Sequence, residues 1–288
     1  MIKWYHQGMT VTRDPVSPPV SLAIAGSDAG GGAGIQADLK AMTAHGVFGT
    51  SVVTATTAQN TRGVRDVHPV PPTHVASQYD AVVDDFDVGA VKTGMLATAE
   101  TVETVTGLVA ASEAPVVVDP VMVAASGDRL LSPEAEDAYE GLIEAATLVT
   151  PNADEAEVLV DRSVEAPADA ERAGRALVAA GADAALIKGG HIGDGERVTD
   201  TLVIGSEAGD CSDPATALRF ENPRVATDAT HGSGCALSSA IAARLARGEP
   251  LREAVAAAVD GMGPAIRRGY DVGEGPGAVN PTAFDGGA

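Results

Sequence analysis

A histidine, two glycines, a serine and a cysteine stand together at His231-Gly232-Ser233-Gly234-Cys235. They open a stretch in which Leu237, Ile241 and Leu245 recur every four residues, the spacing of one helical face. Glycines at a helix N-terminus let backbone N–H groups face an anion, and the helix dipole favours negative charge there. The spacing predicts that Gly232, Ser233 and Gly234 cradle a group on which negative charge develops. Cys235 falls in the first turn, where a thiol with an ordinary pKa of about 8.5 is expected to be lowered. A thiolate there can take a proton from an attacking hydroxyl. The alternative is a buried structural cysteine, the usual fate of a free thiol.

A second stretch carries five glycines in nine residues, at Gly26, Gly30, Gly31, Gly32 and Gly34, and leads into Ile35-Gln36-Ala37-Asp38-Leu39-Lys40. Such a loop allows close approach of a ligand, or it is a flexible turn from strand to helix. It is not a Walker A loop, because no Gly-Lys-Ser/Thr closes it. A third stretch, Asn152-Ala153-Asp154-Glu155, places an amide and a carboxylate three residues apart. The pair can organise the water shell of a magnesium ion near phosphates, or it can cap a helix, and one pair can do both. Other polar residues close apolar runs: Gln59-Asn60, Asp119 and Lys188. Met95 follows Lys92-Thr93-Gly94.

Positioning these residues requires strands that end where they stand. Short apolar runs at 20–25, 47–58, 88–93, 116–118, 148–150 and 184–188 read as strands. Helical patterns intervene at 35–45, 73–86, 102–109, 133–145, 154–160 and 168–180, and two more close the chain at 234–247 and 251–268. The segment 60–72 reads as a loop or small ribbon, and 198–226 as hairpin material. Strand and helix in alternation predict a mostly parallel sheet covered on both faces, with ligands beyond the carboxyl ends of the strands. The polar residues above all fall at those ends. The proline-containing residues 1–19 read as an extension before one domain at 20–288.

Composition excludes several roles. The chain has 288 residues, 45% of them hydrophobic, enough for a large core, and its 3% aromatic content leaves that core to Ala, Val, Leu and Ile. A net charge of -21 argues against nucleic acid and against anionic membrane surfaces. No run reaches the ~18 apolar residues of a membrane span. Excess carboxylate with four lysines (Lys3, Lys40, Lys92 and Lys188) predicts a salt-rich cytoplasm, or else a merely acidic proteome. Cys211 and Cys235 have no metal-ligand spacing, which fits a reducing, cytosolic setting.

Together the segments AGSDAGGGAGIQADLK (25–40), TAQNTRGV (57–64), KTGML (92–96), VDPVMVAASGDRLL (118–131), TPNADE (150–155), KGGH (188–191) and HGSGCAL (231–237) resemble the hydroxymethylpyrimidine/phosphomethylpyrimidine kinases of the ribokinase-like superfamily. The resemblance implies a three-layer α/β/α sandwich with a largely parallel central sheet and a small β flap. It implies ATP-dependent phosphorylation of a hydroxymethylpyrimidine and then of its monophosphate in thiamin biosynthesis, with Mg²⁺. By that pattern Gly26, Asp38, Gln59 and Met95 line the pyrimidine pocket. Gly232, Ser233 and Gly234 form the anion hole, and Cys235 is the base. Asn152, Glu155 and Lys188 meet the nucleotide phosphates, and Asp119 with Glu155 serves the metal. Ser233 and Ala236 stand where threonine is commoner in the family; both positions act through backbone amides. The small-molecule substrate is the expected partner, beside a homodimeric assembly. The rivals are a pyridoxal or pyridoxine kinase on the same fold and a non-catalytic pyrimidine sensor.

Overall fold

The computed structural model describes residues 15–122, 138–193, 195–205 and 215–284. The strands are β1 (Val20–Ser27), β2 (Phe48–Asn60), β3 (Gly63–Pro69), β4 (Val88–Thr93), β5 (Val116–Val118), β6 (Leu148–Val149), β7 (Ala184–Ile187), β8 (Arg197–Ile204) and β9 (Thr216–Pro223). The helices are α1 (Gly34–Ala44), α2 (Pro72–Val83), α3 (Ala99–Ala110), α4 (Tyr139–Glu144), α5 (Ala153–Val160), α6 (Pro167–Ala179), α7 (Ser233–Ala246) and α8 (Leu251–Arg267). The strands form a nine-stranded sheet in the order β3-β2-β1-β4-β5-β6-β7-β8-β9. From β2 to β7 every pairing is parallel, and β3, β8 and β9 are antiparallel edges.

Side chains alternate across each strand, and both faces are covered, which is why the strands read as unbroken apolar runs. In β1, Leu22 and Ile24 pack into the core beneath α2–α6, while Ala23 meets Met42 of α1 and Ala243 of α7. In β5, Val116 and Val118 face the first layer, and Val117 faces the α7–α8 layer. Helix α7 buries Ala236, Ala240, Ala242 and Ala243, small side chains that let it lie close on the sheet beside α1. The result is the three-layer sandwich that the sequence predicts.

The 60–72 segment is a ribbon. The far end of β2 leaves β1 at Thr56 and pairs with β3 from Ala55 to Asn60, with an irregularity between Ala58 and Gln59. The 198–226 segment is the β8–β9 hairpin, its strands in register from Arg197↔Pro223 to Ile204↔Thr216. The helix expected at 133–145 falls partly outside the described residues; its described part is α4. Of the expected N-terminal extension, residues 15–19 precede β1 without regular structure, and the rest lies outside the described residues, as does Cys211. No described helix is long and apolar enough to cross a membrane.

Candidate active site

Strand order brings the chemistry together. The chain runs from β1 by way of α1 to β2 on one side, and from β3 by way of α2 back to β4 on the other side of β1, so the crevice between β1 and β4 is a switch point where ligands bind in open α/β sheets. A cleft of about 800 Å³ lies there, beyond the carboxyl ends of the parallel strands. Gly26, Gln59 and Met95 line it at the β2–β1–β4 side. Asp119, Asn152, Glu155 and Lys188 line it at the β5–β7 side, and Gly232 to Cys235 lie between. Beyond Lys188 the wall is more apolar, with Val225, Met262 and Ile266.

Two loops interlock to make the centre. Asp28 organises the first: its carboxylate accepts backbone N–H bonds from Gly30 (2.8 Å), Gly32 (3.0 Å) and Ala33 (2.8 Å), and meets His231 Nε2 at 3.1 Å. Burial pushes this carboxyl up, but the bond to His231 and the N–H groups of Ala33 and Gly30 outweigh it and hold it below its usual value. Asp28 is thus an anion that turns the glycine loop inward and ties it to the start of the second loop. The second loop needs glycine for two reasons. Gly232 has φ 75, in the left-handed region, and a Cβ there would sit 1.9 Å from the Gly32 carbonyl oxygen. A Cβ on Gly234 would lie 3.1 Å from Lys188 Nζ, so this turn of α7 presents bare backbone toward a cation.

The charged floor is paired throughout. Lys188 Nζ bonds Asp119 Oδ1 at 2.9 Å and lies 3.7 Å from Glu155 Oε2. Burial works against both ions; even so, Lys188 with Lys92 holds Asp119 below its usual value, and Asp119 with Glu155 holds Lys188 above its own. Ser238 Oγ donates to Asp119 Oδ2 at 3.3 Å. Asn152 and Glu155 form a reciprocal capping box on α5: Asn152 N–H to Glu155 Oε2 at 2.8 Å, Glu155 N–H to Asn152 Oδ1 at 2.9 Å. The capping reading of that motif is therefore correct, and the capped pair still lines the cleft.

Bare backbone at a helix start beside a lysine is chemistry that can meet an anion. Residues 28–280 match the phosphomethylpyrimidine kinase family. The chain belongs to that family. The hydroxymethylpyrimidine/phosphomethylpyrimidine kinase of Streptomyces coelicolor is 48% identical over 273 residues, covering 94% of this chain and 97% of that protein. Among solved structures, the phosphomethylpyrimidine kinase of Clostridium difficile 630 is 38% identical with a TM-score of 0.70, covering 83% of this chain and 95% of that one. The pyridoxal kinase of Staphylococcus aureus in complex with ADP has a TM-score of 0.84 at 31% identity, covering 94% and 96%.

Two expectations change in the structure, one from the family pattern and one from the place of Cys235 at a helix start. Asp38 does not line the pocket. It is fully buried on α1 beneath the cleft, where its Oδ1 accepts from Lys92 Nζ (2.8 Å) and Ser239 Oγ (2.8 Å). A helix residue about one turn past the glycine loop would have to look toward the cleft to meet ligand, and Asp38 sits on the inward face with Ala37 and Ala41. Burial holds this carboxyl above its usual value even though Lys92 pulls it down, while Asp38, Cys235 and Asp119 hold Lys92 above its ordinary value against its own burial; the two side chains form a buried pair.

The Cys235 thiol is not lowered. Burial pushes it up to about 12; Lys92 acts downward, Asp38 and Asp119 act upward, and the Gly34 N–H bond to the sulfur is a small downward effect. A helix terminus favours a thiolate, but the burial of this one outweighs both that and the field of Lys92, and Asp38 and Asp119 add to the rise. An expected result follows for kinase whose Cys211 is replaced by serine. Its alkylation rate with iodoacetamide should keep rising about tenfold per pH unit from 7 to 10, where an ordinary thiol levels off above about pH 9. A plateau near pH 7 would mean a thiolate already present in the resting site.

Lys92, Ser238 and Ser239 escaped the sequence reading as site residues, since nothing in their immediate neighbours marks them. One signal was available. The chain has four lysines, and two of the three described ones, Lys92 and Lys188, line this cleft; the third, Lys40, is exposed and bonds the Gly31 carbonyl of the glycine loop at 2.6 Å.

Proposed function

We propose that the chain transfers the γ-phosphoryl group of ATP to the hydroxymethyl oxygen of 4-amino-5-hydroxymethyl-2-methylpyrimidine, and then phosphorylates that monophosphate, two steps of thiamin biosynthesis. The observation that carries the reading is the contact between the two glycine loops. It brings the bare backbone of Gly232–Gly234 to a cleft also lined by Gly26, Gln59 and Met95, which supports reading these as the acceptor side, and by Lys188, Asn152 and Glu155, which supports reading those as the phosphate side.

The pyrimidine ring lies against Gly26 and Met95, whose Cε is 2.4 Å from where a Cβ on Gly26 would be, so the wall is flat and closed at that point. The Gln59 amide offers a donor and an acceptor to the aminopyrimidine edge. Transfer is in line, and catalysis is chiefly positioning and charge stabilisation. Backbone N–H groups at the start of α7 receive the charge that spreads over the phosphoryl oxygens, and Lys188 adds a fixed cation. Cys235 takes the hydroxyl proton through a small thiolate fraction whose high basicity offsets part of its scarcity. Lys92 is the neighbour whose field favours that thiolate. A phosphate acceptor in the second step needs no such base.

Asp119 and Glu155 fit a magnesium ion held mainly by phosphates and water, since Mg²⁺ keeps several waters and uses one or two carboxylates. Mg²⁺ supplies neutralisation of the phosphate charge. A homodimer in a salt-rich cytoplasm completes the reading; the net charge of -21 supports the second part.

The closer backbone similarity to a pyridoxal kinase supports a second reading, phosphorylation of pyridoxal. The test offers the purified protein MgATP with the hydroxymethylpyrimidine or with pyridoxal, in low and molar KCl, and follows products by mass. Sequential mono- and diphosphate of the pyrimidine is the expected result, fastest in molar KCl. Monophosphate alone, with faster turnover of pyridoxal, would move the assignment to pyridoxal kinase. Binding without turnover would leave a pyrimidine sensor.

A further inference from the structure

Gln59 stands near the tip of the β2–β3 ribbon, one residue past the irregularity in its pairing. The ribbon is an edge, and much of β3 is exposed. A two-stranded ribbon is marginal alone, and this one has a weak turn. Asn60 pairs with Gly63, leaving Thr61 and Arg62 as a two-residue connection. The favoured two-residue hairpin turns need a positive φ at the first central residue or at both, and neither Thr61 nor Arg62 has one.

The tip is held from outside. Thr61 Oγ1 accepts from two successive backbone N–H groups of the C-terminal segment, Glu274 at 3.2 Å and Gly275 at 3.1 Å. A Cβ on Gly275 would lie 1.8 Å from the Thr61 carbonyl oxygen, so the two backbones touch. Arg62 pairs with Glu274. The same segment is anchored at its other end. Gly277 accepts from the N–H of His231 at 3.1 Å, the N–H of Val279 donates to the His231 carbonyl at 3.1 Å, and Val279 is buried. His231 immediately precedes the Gly232–Gly234 loop.

We propose that Thr61 is a positioning residue. Its hydroxyl fastens the ribbon that carries Gln59 to the 273–279 segment, and that segment is fastened to the phosphate-binding loop at His231. Thr57 Oγ1 ties the base of the ribbon to the Ser27 carbonyl at 2.9 Å and reaches Gln59 Oε1 at 3.2 Å, and Arg62 N–H bonds Asn60 Oδ1 at 2.9 Å within the turn; the C-terminal segment adds the hold on the tip that sets the acceptor side relative to the transfer side. The role of Gln59 in reading the pyrimidine is the part that rests on the function proposed above; the clasp is a property of the fold.

The experiment compares Thr61→Val, which keeps the shape and removes the acceptor, with Thr61→Ser, which keeps it. Thr61→Val is expected to raise KM for the hydroxymethylpyrimidine about tenfold, the equivalent of 1.4 kcal/mol, with KM for ATP unchanged and kcat within about threefold of wild type. Thr61→Ser should stay near wild type, and Gly275→Ala, on the other side of the contact, should behave as Thr61→Val. Amide hydrogen exchange of residues 58–66, read without any substrate, should quicken in Thr61→Val and not in Thr61→Ser. Faster exchange with no change in the pyrimidine KM would keep the clasp and overturn its link to acceptor binding. Unchanged exchange would overturn the clasp itself. If wild type phosphorylates no pyrimidine, the exchange result still decides the clasp while the assigned substrate falls.

Discussion

Gly232→Ala is expected to lower kcat for both phosphorylations by about 10²- to 10³-fold, the loss typical of removing one anion-hole donor. The added Cβ meets the Gly32 carbonyl oxygen at 1.9 Å, and the obstacle is backbone, so no side chain can swing aside. The two loops must part. A displacement near 1 Å between groups that act together costs about a hundredfold in rate. The left-handed φ of 75 adds a separate cost to stability of about 1–2 kcal/mol. Gly248→Ala separates the two effects. Gly248 has φ 80 but open space around its Cβ position, and it lies at the far end of α7. It should lose comparable thermal stability and keep its kcat. Steady-state rates and melting curves on both variants suffice. A Gly232→Ala enzyme with nearly normal kcat would mean that the loop does not carry the transferring charge.

Where the sequence succeeded, the signal was local. Strands covered on both faces are continuous apolar runs, so Val88–Thr93 and Val116–Val118 could be read residue for residue. The capping box at Asn152–Glu155 is a three-residue spacing. Glycines with a helical repeat behind them marked the start of α7. What failed was long-range. Asp38 lies in the same motif as the glycine loop, and only the packing of α1 against α7 shows that it faces Ser239 and Lys92, residues 201 and 54 positions away. The Cys235 thiol was read from its own helix terminus, whereas its state is set first by burial and then by Lys92, Asp38 and Asp119, carried by β4, α1 and the end of β5. Thr61 shares a motif with Gln59, but its partner is 214 residues downstream. Local pattern names the parts of the site; the charges that govern it come from chain segments that meet only after folding.

Lys92→Met is expected to destabilise the protein by about 3–5 kcal/mol at neutral pH, the usual cost of leaving one member of a buried ion pair alone. Both side chains are fully buried, the bond is 2.8 Å, and Asp38 Oδ2 has no partner among the described residues. Without Lys92 the Asp38 carboxyl keeps its proton after folding, so its folded pKa stands far above the unfolded value near 3.9. Folding then binds a proton, and the stability of the variant relative to wild type should fall as pH rises from about 4 through that folded pKa. Chemical unfolding at pH 5 and pH 8 checks the sign: the deficit should be smaller at pH 5. An apolar replacement of both partners, Lys92→Met with Asp38→Leu, often restores stability at such sites. If that double variant is stable and fully active, the pair is only structural. The expected outcome is recovered stability with a kcat still depressed for the hydroxymethyl acceptor. Lys92 lines the cleft as well as the core, and it is the cation whose field favours ionisation of Cys235. A kcat that stays depressed in the stable double variant would show that this lysine's charge acts on the reaction above it.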